Sequence, residues 1–134
     1  MAISVTTLYE DAAQECGAGV GNDKLTSGFV RACNRALDKM SVRADLATKH
    51  SHIANTDASV STLSEHYGYM LYAGVIFYLR RMGFRSPDPK LFVKELDDSE
   101  RQWNEALGEY VMDLGNIAQE VDEADVTKLG DVTA

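Results

Sequence analysis

Histidines offer the best prospect of chemistry in this sequence. His50 and His52 form an H-x-H pair, and His66 follows fourteen residues after the second of them. On a β-strand, alternate side chains share a face, so His50 and His52 could both reach one metal ion. Zinc would need one or two further ligands, for which His66, Asp57 and Glu65 are the nearest candidates. The competing reading is a set of exposed loop histidines, and no second cluster with ligand spacing argues against it. No serine has the G-x-S-x-G setting of a nucleophile, and neither cysteine has a matched histidine signature. The run Gly17-Ala-Gly-Val-Gly21 has the glycine density of a phosphate loop. It follows a predicted helix instead of a strand, and no G-K-[ST] comes after it, so it reads as a helix terminator. The carboxylates Asp97, Asp98, Glu120, Asp122 and Glu123 fall on predicted solvent faces. Six tyrosines could line a groove, or sit at core edges with their hydroxyls wet. The expectation is a chain with no catalytic residue, no metal and no cofactor.

Such side chains must be positioned by a scaffold, and the composition is that of an ordinary globular domain. The 134 residues are 45% hydrophobic and 25% charged, enough for one domain with a real core. A net charge of −8 speaks against a protein that grips nucleic acid by neutralising phosphates. The charge is uneven: Lys24, Arg31, Arg35, Lys39, Arg43 and Lys49 cluster early, whereas residues 95–125 are rich in Asp and Glu. This polarity suits association through complementary charge, or is an asymmetric solvated surface. The start MAISVTTLYED lacks the basic and apolar regions of a signal peptide. A reducing cytosol is then the default, with Cys16 and Cys33 as buried small hydrophobes and a disulfide between them as the alternative.

The periodicity predicts a mostly α protein, a bundle of about four helices. Thr7-Leu8-Tyr9-Glu10 fits a capping box for a first helix ending near Cys16. A second begins near Thr26 or Ser27, with Phe29, Val30, Cys33, Ala36, Leu37 and Met40 on its core stripe. Between Leu46 and Leu63 the helical period is lost, and residues 48–63 read as a polar β-hairpin or extended loop that needs a partner to be ordered. Ser64 is a plausible N-cap for a third helix, in which Tyr67–Leu79 carries no charge and is expected to be buried all round. It is too short to cross a bilayer. Gly68 and Gly74 point to close backbone approach, and Gly83 terminates the helix. After Ser86-Pro87-Asp88, a long helix is predicted from Pro89 to Val121. Leu96, Trp103, Tyr110 and Ile117 recur at heptad spacing, beside a second row of Val93, Leu107, Leu114 and Val121. The domain is thus placed at 1–121, with 122–134 an extended C-terminal arm.

Taken in order across about residues 5–112, these parts resemble the head-to-tail adaptor (connector) proteins of tailed bacteriophages. The resemblance is carried by F-V-R-A-C-N-R-A-L-D-K-M (Phe29–Met40), the polar hairpin, Y-G-Y-M-L-Y-A-G-V-I-F-Y-L-R-R-M-G (Tyr67–Gly83), and R-Q-W-N-E-A-L-G-E-Y (Arg101–Tyr110) in the last helix. It implies a structural virion protein, made in the host cytoplasm, that forms a dodecameric homo-oligomeric ring at the neck. The ring would join the portal protein to the next neck or tail protein and pass DNA through its lumen without specific binding or membrane contact. An acidic lumen would keep DNA from adhering to the wall. By position, the portal-docking arm would use Asp122, Glu123, Val126, Leu129 and Val132. The inter-subunit loop would use Lys49, His50, His52, Asn55, Asp57 and Ser59. The alternative is a soluble helical-bundle binding module or regulator, whose long seam recognises a partner protein.

Overall fold

The computed structural model describes residues 3–16, 23–60, 62–84 and 89–133, with backbone alone at 89 and beyond 115. The order is β1 (Ile3–Ser4), α1 (Val5–Glu15), α2 (Asp23–Arg43), β2 (Ser59–Val60), a 3₁₀ turn (Glu65–Tyr67), α3 (Gly68–Arg81) and α4 (Pro89–Thr133). This is the expected mostly helical bundle with one small antiparallel strand pair.

Local chemistry sets the helix ends. α1 starts earlier than the capping box suggested, because Ser4 already supplies a hydroxyl that accepts from the Thr7 amide. Its last turn closes with the Cys16 amide donating to the Ala12 carbonyl at 2.9 Å. α2 opens at Asp23, ahead of Thr26, with a carboxylate suited to the positive end of a helix dipole. It ends in a Schellman turn: Leu46 N–H donates to Ser41 O at 3.0 Å and Asp45 N–H to Val42 O at 3.1 Å. Asp45 takes the left-handed position, φ 53°. Ser64 caps the 3₁₀ turn that leads into α3, as expected. α3 closes through a second Schellman turn, with Phe84 N–H on Leu79 O and Gly83 N–H on Arg80 O, and Gly83 at φ 108°. The hydrophobic pair of that motif, Leu79 and Phe84, lands on Gly28 of α2. A methyl group there would come 2.8 Å from the Phe84 ring.

The core lies where α2, α3 and α4 meet. Gly74 is its tightest point: a Cβ there would stand 2.7 Å from the Trp103 indole and 2.9 Å from the Ala36 methyl. Small residues on two helices thus let α4 bring its tryptophan, 2% exposed, against both. Gly68 has no such neighbour, its nearest contact being Ile3 at an ordinary 3.9 Å. The heptad rows hold from Leu96 through Trp103, Leu107, Tyr110 and Leu114, whereas Leu91 and Val93 in the first turns of α4 are exposed. Arg80, in the last turn of α3, cross-links three helices. It donates to Ser99 and to the Glu95 carbonyl on α4 and pairs with Glu15 on α1 at 3.7 Å.

Three expectations change. The Tyr67–Leu79 helix is central but not buried all round, since Tyr69 is 59% exposed and Tyr72, Ala73 and Tyr78 are half-buried. The phenolic hydroxyls explain this, because each needs water or a polar partner. The polar segment is the extended loop of the two readings. Its strand β2 pairs with the distant β1, Ile3 opposite Val60 and Ser4 opposite Ser59. A two-strand pairing within the loop would have had no apolar face to cover it. Finally, the backbone of α4 remains helical to Thr133, across the stretch read as an extended arm. Propagating a helix costs far less than starting one, and Glu123, Ala124, Lys128 and Leu129 are good helix formers. The glycine run 17–21, the turn at 86–88 and the side chains of Ile117, Val121 and the proposed arm lie outside the described residues.

Candidate functional site

One row of α2 holds the 44–64 loop. Asn34, Asp38 and Ser41, at i, i+4 and i+7, stand between the apolar stripe and the cationic face of that helix. Asn34 acts like a strand partner, donating to the Ile53 carbonyl (3.1 Å) and accepting from the Ile53 amide (2.8 Å). Asp38 takes His52 Nε2 at 2.7 Å. Ser41 accepts from the His50 amide at 2.9 Å while donating to the Leu37 carbonyl at 2.9 Å. The loop sends Ile53, Val60 and Leu63 into the core.

His50 then clasps the loop to α4. Its ring is 8% exposed, with Nε2 2.9 Å from the Tyr110 hydroxyl and Nδ1 3.1 Å from the Thr62 hydroxyl. The neutral ring has one N–H and one lone pair, so either tautomer satisfies both contacts. Thr62 also accepts from the Ser51 amide. Burial holds the imidazole below its ordinary pKa, with hydrogen bonding to the Thr62 backbone opposing. Beside it, Tyr67 stacks edge-on against Tyr110 and donates to Asp113, which raises the Tyr67 phenol to about 12, with burial adding to the shift. A cleft of about 600 Å³ opens here, bordered by Lys49, His50, His66, Tyr110 and Asp113. Among the described residues no buried side-chain polar atom lacks a partner. Both ring nitrogens are thus engaged by hydroxyl groups.

A second concavity of about 270 Å³ lies on the open side of α3, floored by Ala73, Ile76 and Ala106. Its rim is acidic: Glu15 from α1, with Glu105 and Glu109 from α4. Tyr72 donates to Glu15 and Tyr69 to Glu109 at 3.1 Å, so the tyrosine hydroxyls face carboxylates across the helix seams. Tyr69 and Tyr72 line it, as one reading of the tyrosines allowed, but its acidic rim was not foreseen. The signal for that rim in the sequence was the spacing of Gln102, Glu105 and Glu109 on one side of α4.

The candidate residues fall into separate places. Lys49, Asn55, Asp57 and Ser59 are exposed on the loop. Asn55 accepts from the Asp57 amide in a local turn. Ser59 pairs with Ser4 in the strand ladder. His50 and His52 point to different partners, one inward to Tyr110 and one outward to Asp38, so the H-x-H pair does not converge. Among the described residues no group of three His, Cys, Asp or Glu is arranged to hold a metal ion. Cys16 and Cys33 are both free thiols. Burial pushes Cys16 up to about 11, with Arg80 partly opposing, and Cys33 up to about 12. Such thiols carry almost no thiolate at neutral pH. Among the described residues no helix is long and apolar enough to cross a membrane. Asp122, Glu123, Val126, Leu129 and Val132 lie on the helical backbone of α4, their side chains outside the described part. No family model, no curated protein and no solved structure matches this chain.

Proposed function

We propose that this chain is a non-enzymatic structural subunit that assembles with its own copies into a ring, as a head-to-tail adaptor at the neck of a tailed-phage virion. The observation that carries the reading is the disproportion of α4. Its last described core contact is Leu114, yet the helix runs on to Thr133, about 28 Å further at 1.5 Å per residue. The five-turn seam from Leu96 to Leu114 holds α4 in the bundle, and the portal protein is the proposed partner of the part beyond it. The exposed loop residues Lys49, Asn55, Asp57 and Ser59 then face a neighbouring subunit or the next neck protein. The occupied imidazole and high-pKa thiols fit a scaffold better than an active site.

The test is assembly. Purified protein is mixed with the portal protein from the same genome and followed by size exclusion with light scattering and negative-stain imaging. Rings bound to portal are the expected result. A stable monomer or dimer that ignores portal, from a gene remote from portal and terminase genes, sinks the adaptor reading and favours a helical-bundle binding module. The exposed apolar side chains Val111 and Met112, beside a concavity bordered by Arg43 and Leu107, are where such a module would meet its partner.

A further inference from the structure

The outer face of α2 carries Arg31, Arg35, Lys39 and Arg43, four cations at successive i, i+4 positions, all exposed. Their row is about 18 Å long. Although the protein is strongly acidic, none of the four enters an ion pair among the described residues. The neighbouring carboxylate on that helix, Asp38, is engaged by His52. A cationic row left unpaired in a chain of net charge −8 is what an acidic partner surface would meet.

The same molecule offers that surface. On α4, Asp98, Gln102, Glu105 and Glu109 share one side at spacings of four, three and four, a row of about 16 Å. The last three border the groove floored by Ala73, Ile76 and Ala106, and Glu15 closes its far rim. Part of this charge is already answered: Asp98 pairs with Arg101 and Glu15 with Arg80. Glu105 has no ion pair, and Glu109 has only the Tyr69 hydroxyl. The apolar floor gives the aliphatic stems of Arg and Lys somewhere to lie while their heads reach the rim. The two rows are matched in length and opposite in sign. They share no residue, so one copy can engage both at once.

We infer that the α2 cationic row of one copy docks in the acid-rimmed α3/α4 groove of the next. Contact between two different faces is heterologous, so it repeats from copy to copy and closes into a ring when the rotation permits. The proposal deepens the ring reading by naming the faces that meet, and it needs self-association but not the portal. Arg35 and Lys39 of one copy meet Glu105 and Glu109 of the next, the two rim carboxylates without an ion pair.

Two double variants test it: Arg35→Glu with Lys39→Glu, and Glu105→Lys with Glu109→Lys. All four positions are exposed, so circular dichroism and melting should match the parent chain. Self-association is read by light scattering and sedimentation over a range of concentration and salt. The parent's association should weaken as salt rises, because exposed ion pairs are screened. Each double variant should associate at least about tenfold more weakly, since like charges then face each other. A one-to-one mixture should recover association, because the acidic row of one variant meets the basic groove of the other. Variants that associate as the parent does, or a mixture that recovers nothing, overturn the contact. So does a parent chain that stays monomeric at its solubility limit in low salt. If rings on the portal survive both reversals, the ring reading stands and the named contact fails. If charge-dependent self-association occurs but portal is ignored, the contact stands and the neck assignment fails.

Discussion

Gly74 shows how much one missing methyl group can decide. Trp103 and Ala36 approach it from two helices, and neither can yield: one is a rigid ring packed on all sides, the other is fixed to its backbone. Gly74→Ala should therefore destabilise the fold by about 1–3 kcal/mol despite the better helix propensity of alanine. Denaturant melts of the pair of proteins would show it, and an unchanged midpoint would mean that the three-helix junction is looser than described. His50 makes a residue-scale prediction of another kind. Its folded pKa lies below the ordinary histidine value of about 6.5, so above that pH both states are neutral and its contribution is complete. As pH falls, the unfolded chain takes the proton first, and stability drops by up to about 1.4 kcal/mol per pH unit until the folded ring also titrates. A series of melts from pH 7.5 to about 5 should find that slope reduced in His50→Gln. Parallel slopes would show that the clasp does not titrate. Gly74 was legible in the sequence as a site of close approach, because a glycine inside an apolar helix needs a reason. The clasp was not, because His50 and Tyr110 are sixty positions apart and only the fold brings them together.

At the scale of elements, α2 has three functions on three sides. One side fills the core, one row holds the loop, and one carries unpaired cations. Only the first has an unambiguous sequence signature, because apolar spacing of three and four has one meaning, whereas Asn34, Asp38 and Ser41 look like any polar face. They are distinguished by their partners in the 44–64 loop, which periodicity does not report. The bidentate Asn34 contact with Ile53 carries a prediction. Asn34→Ala leaves both backbone groups of Ile53 without that partner, at a cost of about 1–3 kcal/mol. Hydrogen exchange should quicken at Ile53 and along the loop while α3 stays protected. Equal exchange throughout would show that the loop is held by its apolar side chains alone. The long helix α4 divides in the same way. Its seam from Leu96 to Leu114 was readable as heptads that run on to Ile117 and Val121, whereas its continuation from 122 to Thr133 has no such pattern to betray it. Deleting 122–134 should leave helicity per residue and melting nearly unchanged while abolishing incorporation into the assembly. Loss of folding on this deletion would contradict a role at a partner surface.

For the molecule as a whole, polarity of charge is the property that composition announced and the fold made specific. A basic early segment and an acidic late one become a row on α2 and a rim on α4 that Glu15 of α1 completes. The excess of acid also leaves the chain net negative, which in the proposed ring would keep DNA from sticking to the wall. The long-range ties have a consequence in time. During synthesis, Ile3 waits for Val60, and His50 waits for Tyr110. At about 5–20 residues per second the second interval is about 3–12 s, during which the loop hangs from the ribosome without its α4 anchor. Its run of Thr48, Ser51, Asn55, Thr56, Asp57 and Ser59 keeps it hydrated and unattractive to other nascent chains over those seconds. The segment that the finished protein wears as a belt is thus also one the growing chain can safely leave unbuckled.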